Sequence, residues 1–265
     1  MSGSTSSLLS TAGQGAAGQG AAGQAVRSNA RPSSDFAARL ARTEQVLRQA
    51  AAHGSGQGGV TQASSLGAED VVITHLINAL ALDIPVFVLE TGALHRETLA
   101  LLERTEATSR APVQVYRPQH EQVIAFVRKE GQDAMYRSLA LRKQCCGIRK
   151  MEPLARALAG KSAWITGLRR EQSNARADVP AIDTSEVATK GLTKFNPLAD
   201  WSWGDVWHYI ALNEVDYNPL HDQFYPSVGC APCTRAISLG EDFRAGRWWW
   251  EDETAKECGL YVKAA

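Results

Sequence analysis

After residue 35, the apolar positions switch repeatedly between a helical and an extended period. Phe36, Leu40, Val46 and Leu47 recur at near-helical spacing; Ser34 or Asp35 can cap that helix, and the glycine-rich stretch 53–59 ends it. A short strand from Val60, a tight turn of small residues and a helix over 71–82 come next. Asp83-Ile84-Pro85 leads into Val86-Phe87-Val88-Leu89, a continuous apolar run typical of a strand covered on both faces. The pattern then predicts a helix over 96–106, a strand over 113–116, and helices over 119–130 and 132–143. Pro153 suits the first turn of a further helix that stops at Gly160, and 163–167 read as a fourth strand. Later, Asp200 or Ser202 can cap a helix that turns Val206, Trp207 and Ile210 to the core. The tryptophans there read as packing, and His208 as a surface or core residue.

Strands alternating with helices predict an α/β fold, a mostly parallel sheet with helices on both faces. In such sheets ligands sit beyond the carboxyl ends of the strands. Three polar turns fall at that edge: Ser64 to Asp70, Glu90-Thr91-Gly92, and Thr166 to Arg170. The first, with Ser64, Ser65 and Gly67 before a helix, could seat an anion on free N–H groups, although small residues before helices are common. Residues 1–34 differ in kind. Their Ala-Gly-Gln repeats carry almost no large apolar side chains, so they read as a disordered low-complexity tail.

Charge narrows the function. Lys plus Arg and Asp plus Glu number 28 each among 265 residues, so the net charge is zero. That argues against a nucleic-acid binder with a broad basic surface. No apolar run approaches the roughly 18 residues of a membrane span, and no signal-peptide pattern opens the chain, so a cytoplasmic protein is expected.

The five cysteines change the picture most. Cys145-Cys146 and Cys230-Ala231-Pro232-Cys233 are two tight pairs, and Cys258 stands alone. Four thiols suit zinc or an iron–sulfur cluster. Adjacent cysteines suit a cubane better than a zinc knuckle, because each can reach a different iron. Arg244 and Arg247 precede Cys258; two arginines alone would read as a solvated face.

Together these segments resemble the assimilatory adenylyl-sulfate reductases, the iron–sulfur branch of the family that includes phosphoadenylyl-sulfate reductase. The matching text is Ser64-Ser65-Leu66-Gly67-Ala68-Glu69-Asp70, Val88-Leu89-Glu90-Thr91-Gly92, Cys145-Cys146-Gly147-Ile148-Arg149-Lys150, Trp164-Ile165-Thr166-Gly167-Leu168-Arg169-Arg170-Glu171-Gln172-Ser173, Lys194-Phe195-Asn196-Pro197-Leu198, Gly229-Cys230-Ala231-Pro232-Cys233-Thr234-Arg235 and Glu257-Cys258-Gly259-Leu260. The resemblance implies an adenine-nucleotide α-hydrolase-like fold and a [4Fe–4S] cluster on Cys145, Cys146, Cys230 and Cys233. It implies reduction of adenylyl sulfate to sulfite and AMP by thioredoxin or a glutaredoxin-like reductant, with Cys258 as the catalytic nucleophile. Ser64, Ser65, Gly67, Leu89, Thr91, Lys150, Gly167, Arg176, Arg244 and Arg247 would bind the substrate. The implied organisation is a tail over 1–34, a nucleotide- and cluster-binding domain over 35–240, and a C-terminal tail over 241–265. Homo-oligomers are left open. The chain departs from the family pattern at Glu90, where Asp is common, at Ala93, where Arg is, and at Tyr261, where the family usually has His. The rivals are a reductase of the 3′-phosphorylated substrate, an ATP pyrophosphatase acting on tRNA and a non-enzymatic zinc protein. The pyrophosphatases want a Ser-Gly-Gly-x-Asp-Ser loop, which Ser64 to Asp70 is not.

Overall fold

The computed structural model describes residues 23–56 and 58–252. The chain enters through a short helix α1 (Gln24–Asn29) and a long one, α2 (Phe36–Gly56). Strand β1 (Val60–Ser64), α3 (Ala68–Ala79), β2 (Val86–Leu89), α4 (Arg96–Thr108) and β3 (Val113–Tyr116) follow in strict alternation. Four helices come next: α5 (His120–Glu130), α6 (Ala134–Arg137), α7 (Leu139–Cys146) and α8 (Glu152–Leu158), the last two joined by a π-helical turn, Gly147–Met151. Strand β4 (Ala163–Ile165) completes the alternation, and β5 (Ile182–Asp183), α9 (Val187–Lys190), β6 (Thr193–Phe195) and α10 (Trp203–Leu212) end the regular elements.

The strands form one six-stranded sheet in the order β3-β2-β1-β4-β6-β5. Every neighbouring pair is parallel except β5 with β6. Side-chain alternation along the strands builds two apolar layers. Val86, Val88, Ala163 and Ile165 join the larger core with residues of α2, α3, α4 and α10. Phe87 and Trp164, one position out of phase, pack with Leu154 and Ala157 of α8 on the other face. This is the predicted sheet with helices on both faces.

Several boundaries differ from the sequence reading, each for a local reason. Helix α3 starts three residues earlier, at Ala68, because Gly67 is extended as its cap and Glu69 and Asp70 sit in the first turn. The single helix expected over 132–143 is two, because Ser138 is extended and accepts a hydrogen bond from Leu141 N at 3.2 Å, capping α7. Ser202 caps α10 in a reciprocal box with Asp205. The tail expected over 1–34 needs correcting from residue 23 onward. Ala25 and Val26 of α1 are buried, and Ala25 N donates to Asp222 Oδ1 at 2.8 Å. Ser33 is tied twice to Asp205. Composition missed this because two small apolar residues suffice once a neighbouring helix supplies the rest of the interface.

Candidate active site

The strand order places β1 between β2 and β4: the chain leaves β1 toward β2 and β3 and then returns to β4 on the other side of β1. The carboxyl ends of β1 and β4 therefore flank the crevice where α/β sheets bind ligands. After β1 the chain turns sharply at Leu66, buried and left-handed at φ 60°. The Asp70 carboxylate closes that turn, accepting from Ser65 N at 2.7 Å and Ser65 Oγ at 2.6 Å. Burial pushes Asp70 up to about 6, against the pull of those hydrogen bonds. After β4, Gly167 passes so close that a Cβ would overlap the Asp70 carboxylate. A glycine is required there by close approach.

Next to Asp70, Glu69 is buried as well. Burial alone would raise its pKa, but Arg169, at 2.8 Å, and Gln172, at 3.0 Å, outweigh it and hold it lowered. At the end of β2, Thr91 is buried; its Oγ1 lies 3.3 Å from Cys230 Sγ, and its carbonyl accepts from Arg149 Nη1 at 2.7 Å.

A cavity of about 170 Å³ lies over these strand ends. All ten residues expected to bind substrate line it: Ser64, Ser65, Gly67, Leu89 and Thr91 from β1, β2 and their turns, Gly167 and Arg176 from the segment after β4, Lys150 from the π-helical turn, and Arg244 and Arg247 near the end of the described chain. Arg247 is the most telling of them. It is buried, and it donates to neutral oxygens, Ser227 Oγ at 3.4 Å and Val228 O at 3.2 Å. Its Nε has no hydrogen-bond partner among the described residues. Gly229 leaves the guanidinium its space, since a Cβ there would collide with it. A buried cation held by neutral groups is stabilised by a bound anion.

The four cysteines of the two pairs form no disulfide with one another and line a second cavity, of about 340 Å³. Cys145 ends α7 beside Cys146, while Cys230 and Cys233 flank a single 3₁₀ turn. Leu94 forms a bridge with Cys230, and Ala231 N donates to Ala93 O at 2.7 Å, fixing that turn to the end of β2. Burial pushes the Cys233 thiol up to about 12 and also raises Cys145. Buried thiols that resist ionisation become good ligands only when a soft cation stabilises the thiolates. Among the described residues, no trio of His, Cys, Asp or Glu closes around a single-ion position. The chemistry of four cysteines lining one space fits a soft-metal centre. Lys150 lines both cavities, so one ammonium serves the thiol bed and the polar cavity together. The π-helical turn puts it there, a distortion frequent at functional sites.

Cys258 and Tyr261 lie outside the described residues. The sequence reading missed several residues of the site. Asp70 and Gln172 fall within the matching motifs, but the motifs alone gave neither a role. His221 lines the polar cavity, buried, with Nδ1 2.7 Å from Tyr225 O and burial lowering its pKa; no periodicity or pairing marked it. Arg142 and Glu251 form a buried ion pair at 2.7 Å beside the thiol bed.

A family model for the phosphoadenosine phosphosulfate reductase domain matches residues 59–236. An adenosine 5′-phosphosulfate reductase of Allochromatium vinosum is 53% identical over 75% of this chain and 77% of its own length. One from Burkholderia cepacia is 47% identical over 86% of this chain and 89% of its own. Among solved structures, a phosphoadenylyl-sulfate reductase from Candida auris superposes with a TM-score of 0.60 at 26% identity, covering 71% of this chain and 88% of that one. A Candida glabrata FMN adenylyltransferase shares the fold alone, at TM-score 0.53 and 11% identity over 88% of this chain and 80% of its own. The chain belongs to the phosphoadenosine phosphosulfate reductase family, within it to the adenosine 5′-phosphosulfate reductases.

Proposed function

We propose that this protein reduces adenylyl sulfate to sulfite and AMP in sulfate assimilation, with a thioredoxin-type dithiol as reductant. The observation that carries the reading is the pair of adjoining cavities. One gathers the small-residue turns and cationic side chains that a nucleotide anhydride needs, the other gathers four thiols, and Lys150 walls both. The family supports the substrate, since relatives of this length and identity are named for it.

The chemistry follows from residue types. The Cys258 thiolate attacks the sulfate sulfur, the S–O bond of the anhydride breaks, and AMP leaves with the bonding electrons. Arg247 and its cationic neighbours answer the charge on the substrate's phosphate and sulfate oxygens. The product is an S-sulfonate on Cys258. A dithiol reductant then attacks the sulfur of Cys258, sulfite departs, and the second thiol resolves the mixed disulfide. The dithiol supplies the two electrons that take sulfate sulfur to sulfite. Cys145, Cys146, Cys230 and Cys233 would hold a [4Fe–4S] cluster, which when bound would cross-link the end of α7 to the Cys230–Cys233 turn, while Lys150 supplies positive charge between the thiol bed and the substrate's anionic groups. Cysteines in two tight pairs that form no disulfide with one another suit a reducing, cytoplasmic setting.

The test is Cys258→Ser. The variant is expected to bind substrate and lose turnover, because serine is a far weaker nucleophile near neutral pH. Wild-type protein incubated with adenylyl sulfate and no reductant is expected to carry one added SO₃ group on the C-terminal peptide. Normal turnover by the variant, or an adduct on any other cysteine, rejects the assignment. Sulfite release compared between adenylyl sulfate and its 3′-phosphorylated form decides between the two reductases.

A further inference from the structure

We infer that Gln172 is a positioning residue that sets the Arg176 guanidinium in the substrate cavity through a neutral acceptor. The inference rests on the function proposed above and deepens it. A primary amide has two N–H donors and two acceptor lone pairs on oxygen. All four are engaged here. Nε2 donates to Glu69 Oε1 at 3.0 Å and to Gly167 O at 3.1 Å. Oε1 accepts from Arg176 Nη1 at 2.7 Å and from Arg169 N at 3.1 Å. The partners fix the orientation. Neither a carboxylate nor a carbonyl can donate, and neither a guanidinium nor a peptide N–H can accept, so the amide fits only one way round.

Its position separates two arginines that a sequence cannot tell apart. Arg169 is buried, pairs directly with the Glu69 carboxylate at 2.8 Å, donates to Trp201 O at 3.2 Å and lies over the Trp203 ring. It is part of the scaffold. Arg176 is also buried but lines the cavity, and what Gln172 offers it is an amide oxygen. Gln172 thus couples Arg176 to the Glu69–Arg169 pair without adding a carboxylate to the guanidinium. A carboxylate in the same place would add negative charge at 2.7 Å from the guanidinium and compete with the substrate's anionic oxygens. It would also stand against Glu69 and repel it. The same amide holds the carbonyl of Gly167, so the turn after β4 and the arginine move as one unit.

Two replacements and one cycle test this. Gln172→Met keeps length and removes every hydrogen bond of the amide. It is expected to raise KM for adenylyl sulfate about tenfold with kcat within about twofold of wild type, the loss of one charge-assisted hydrogen bond. Gln172→Glu is expected to raise KM further than Gln172→Met, because the new carboxylate is ionised at neutral pH and draws charge from Arg176 that the substrate would otherwise meet. In an Arg176→Ala background, Gln172→Met is expected to change KM less than about twofold, since its effect passes through the arginine. Calorimetric titration with AMP reads the same cycle independently of turnover. Multiplicative effects in the two backgrounds, or a fall in kcat with KM unchanged, overturn the inference. Absence of sulfite release by the wild type overturns the proposed function instead, while the AMP cycle still reads the coupling.

Discussion

Two Arg–carboxylate pairs in this protein have the same fork geometry and opposite surroundings. Arg142 Nε and Nη2 donate to the two Glu251 oxygens at 2.9 and 2.7 Å, with side chains 1% and 6% exposed. Arg104 donates likewise to Asp216 at 2.6 and 3.2 Å, with side chains 48% and 55% exposed. Removing Glu251 leaves a guanidinium buried without its carboxylate, which costs about 3–5 kcal/mol. The Trp248 ring, 4.7 Å from the guanidinium carbon, still partners the cation in the variant, which places the loss at the lower end of that range. A net loss of about 3 kcal/mol lowers Tm by roughly 6–12 °C in a chain of this size. Asp216→Ala breaks a solvated pair worth about 0–1 kcal/mol and lowers Tm by less than about 4 °C. Thermal unfolding followed by circular dichroism, at one scan rate for all variants, measures both. Arg142→Met with Glu251→Leu is expected to recover most of the loss, since an apolar pair of similar volume leaves no charge stranded. The reasoning fails if Glu251→Ala melts within about 2 °C of wild type, or if the two single losses are equal. The consequence is local as well as global. Glu251 N donates to Trp248 O at 2.9 Å, and residues 248–251 form the last described turn before the segment that carries Cys258.

Three further outcomes are expected. Protein purified without oxygen is expected to be brown and to carry about four irons per chain, lost on Cys233→Ser; stoichiometric zinc with no iron would reject the cluster. AMP affinity is expected to fall as pH rises through about 6, because burial raises Asp70 to about 6 and its ionised form repels a neighbouring anion. The same raised acid makes folding stability fall with pH from the ordinary carboxylate value up to about 6, where the unfolded chain has lost the proton and the folded one keeps it. Asp70→Asn should flatten the binding profile in calorimetric titrations from about pH 5 to 8; an unchanged slope would show that another group controls it.

The α/β alternation was legible because the first four strands are short apolar or alternating runs set between helical periods. Val86 to Leu89 is apolar on both faces, and Phe87 does meet a different layer from Val86 and Val88. Strands β5 and β6 were not legible. They span two and three residues and include the polar Asp183, Thr193 and Lys194, so no apolar run marks them as Ala163-Trp164-Ile165 marks β4; β6 is held by β4, whose register pairs Ala163 with Thr193. The antiparallel pairing of Ile182 with Phe195 depends on that tertiary partner. Helix α1 was hidden for the same reason. In the site, residues carried by motifs could be named, whereas Arg142, Glu251 and His221 could not. Their roles arise from contacts between elements more than 90 residues apart or from burial, and neither leaves a local signature.

The joining of the two cavities depends on one stretch of backbone. Helix α7 brings Cys145 and Cys146 to the thiol bed, and an undistorted α-helix would repeat its faces every 3.6 residues from there. The turn Gly147–Met151 is π-helical, which adds a residue to the turn and shifts the facing of the residues beyond it. Arg149 then reaches back to the Thr91 carbonyl at 2.7 Å, and Lys150 comes to wall both spaces. Thr91 closes the loop from the other side, with its hydroxyl 3.3 Å from Cys230 Sγ and its side of β2 in the polar cavity. Cysteine bed and anion cavity are thus tied by two short links, one from the helical segment and one from a strand end. A change in the charge or volume of the thiol bed would be felt first at Arg149, Lys150 and Thr91, and through them at the substrate's anionic groups.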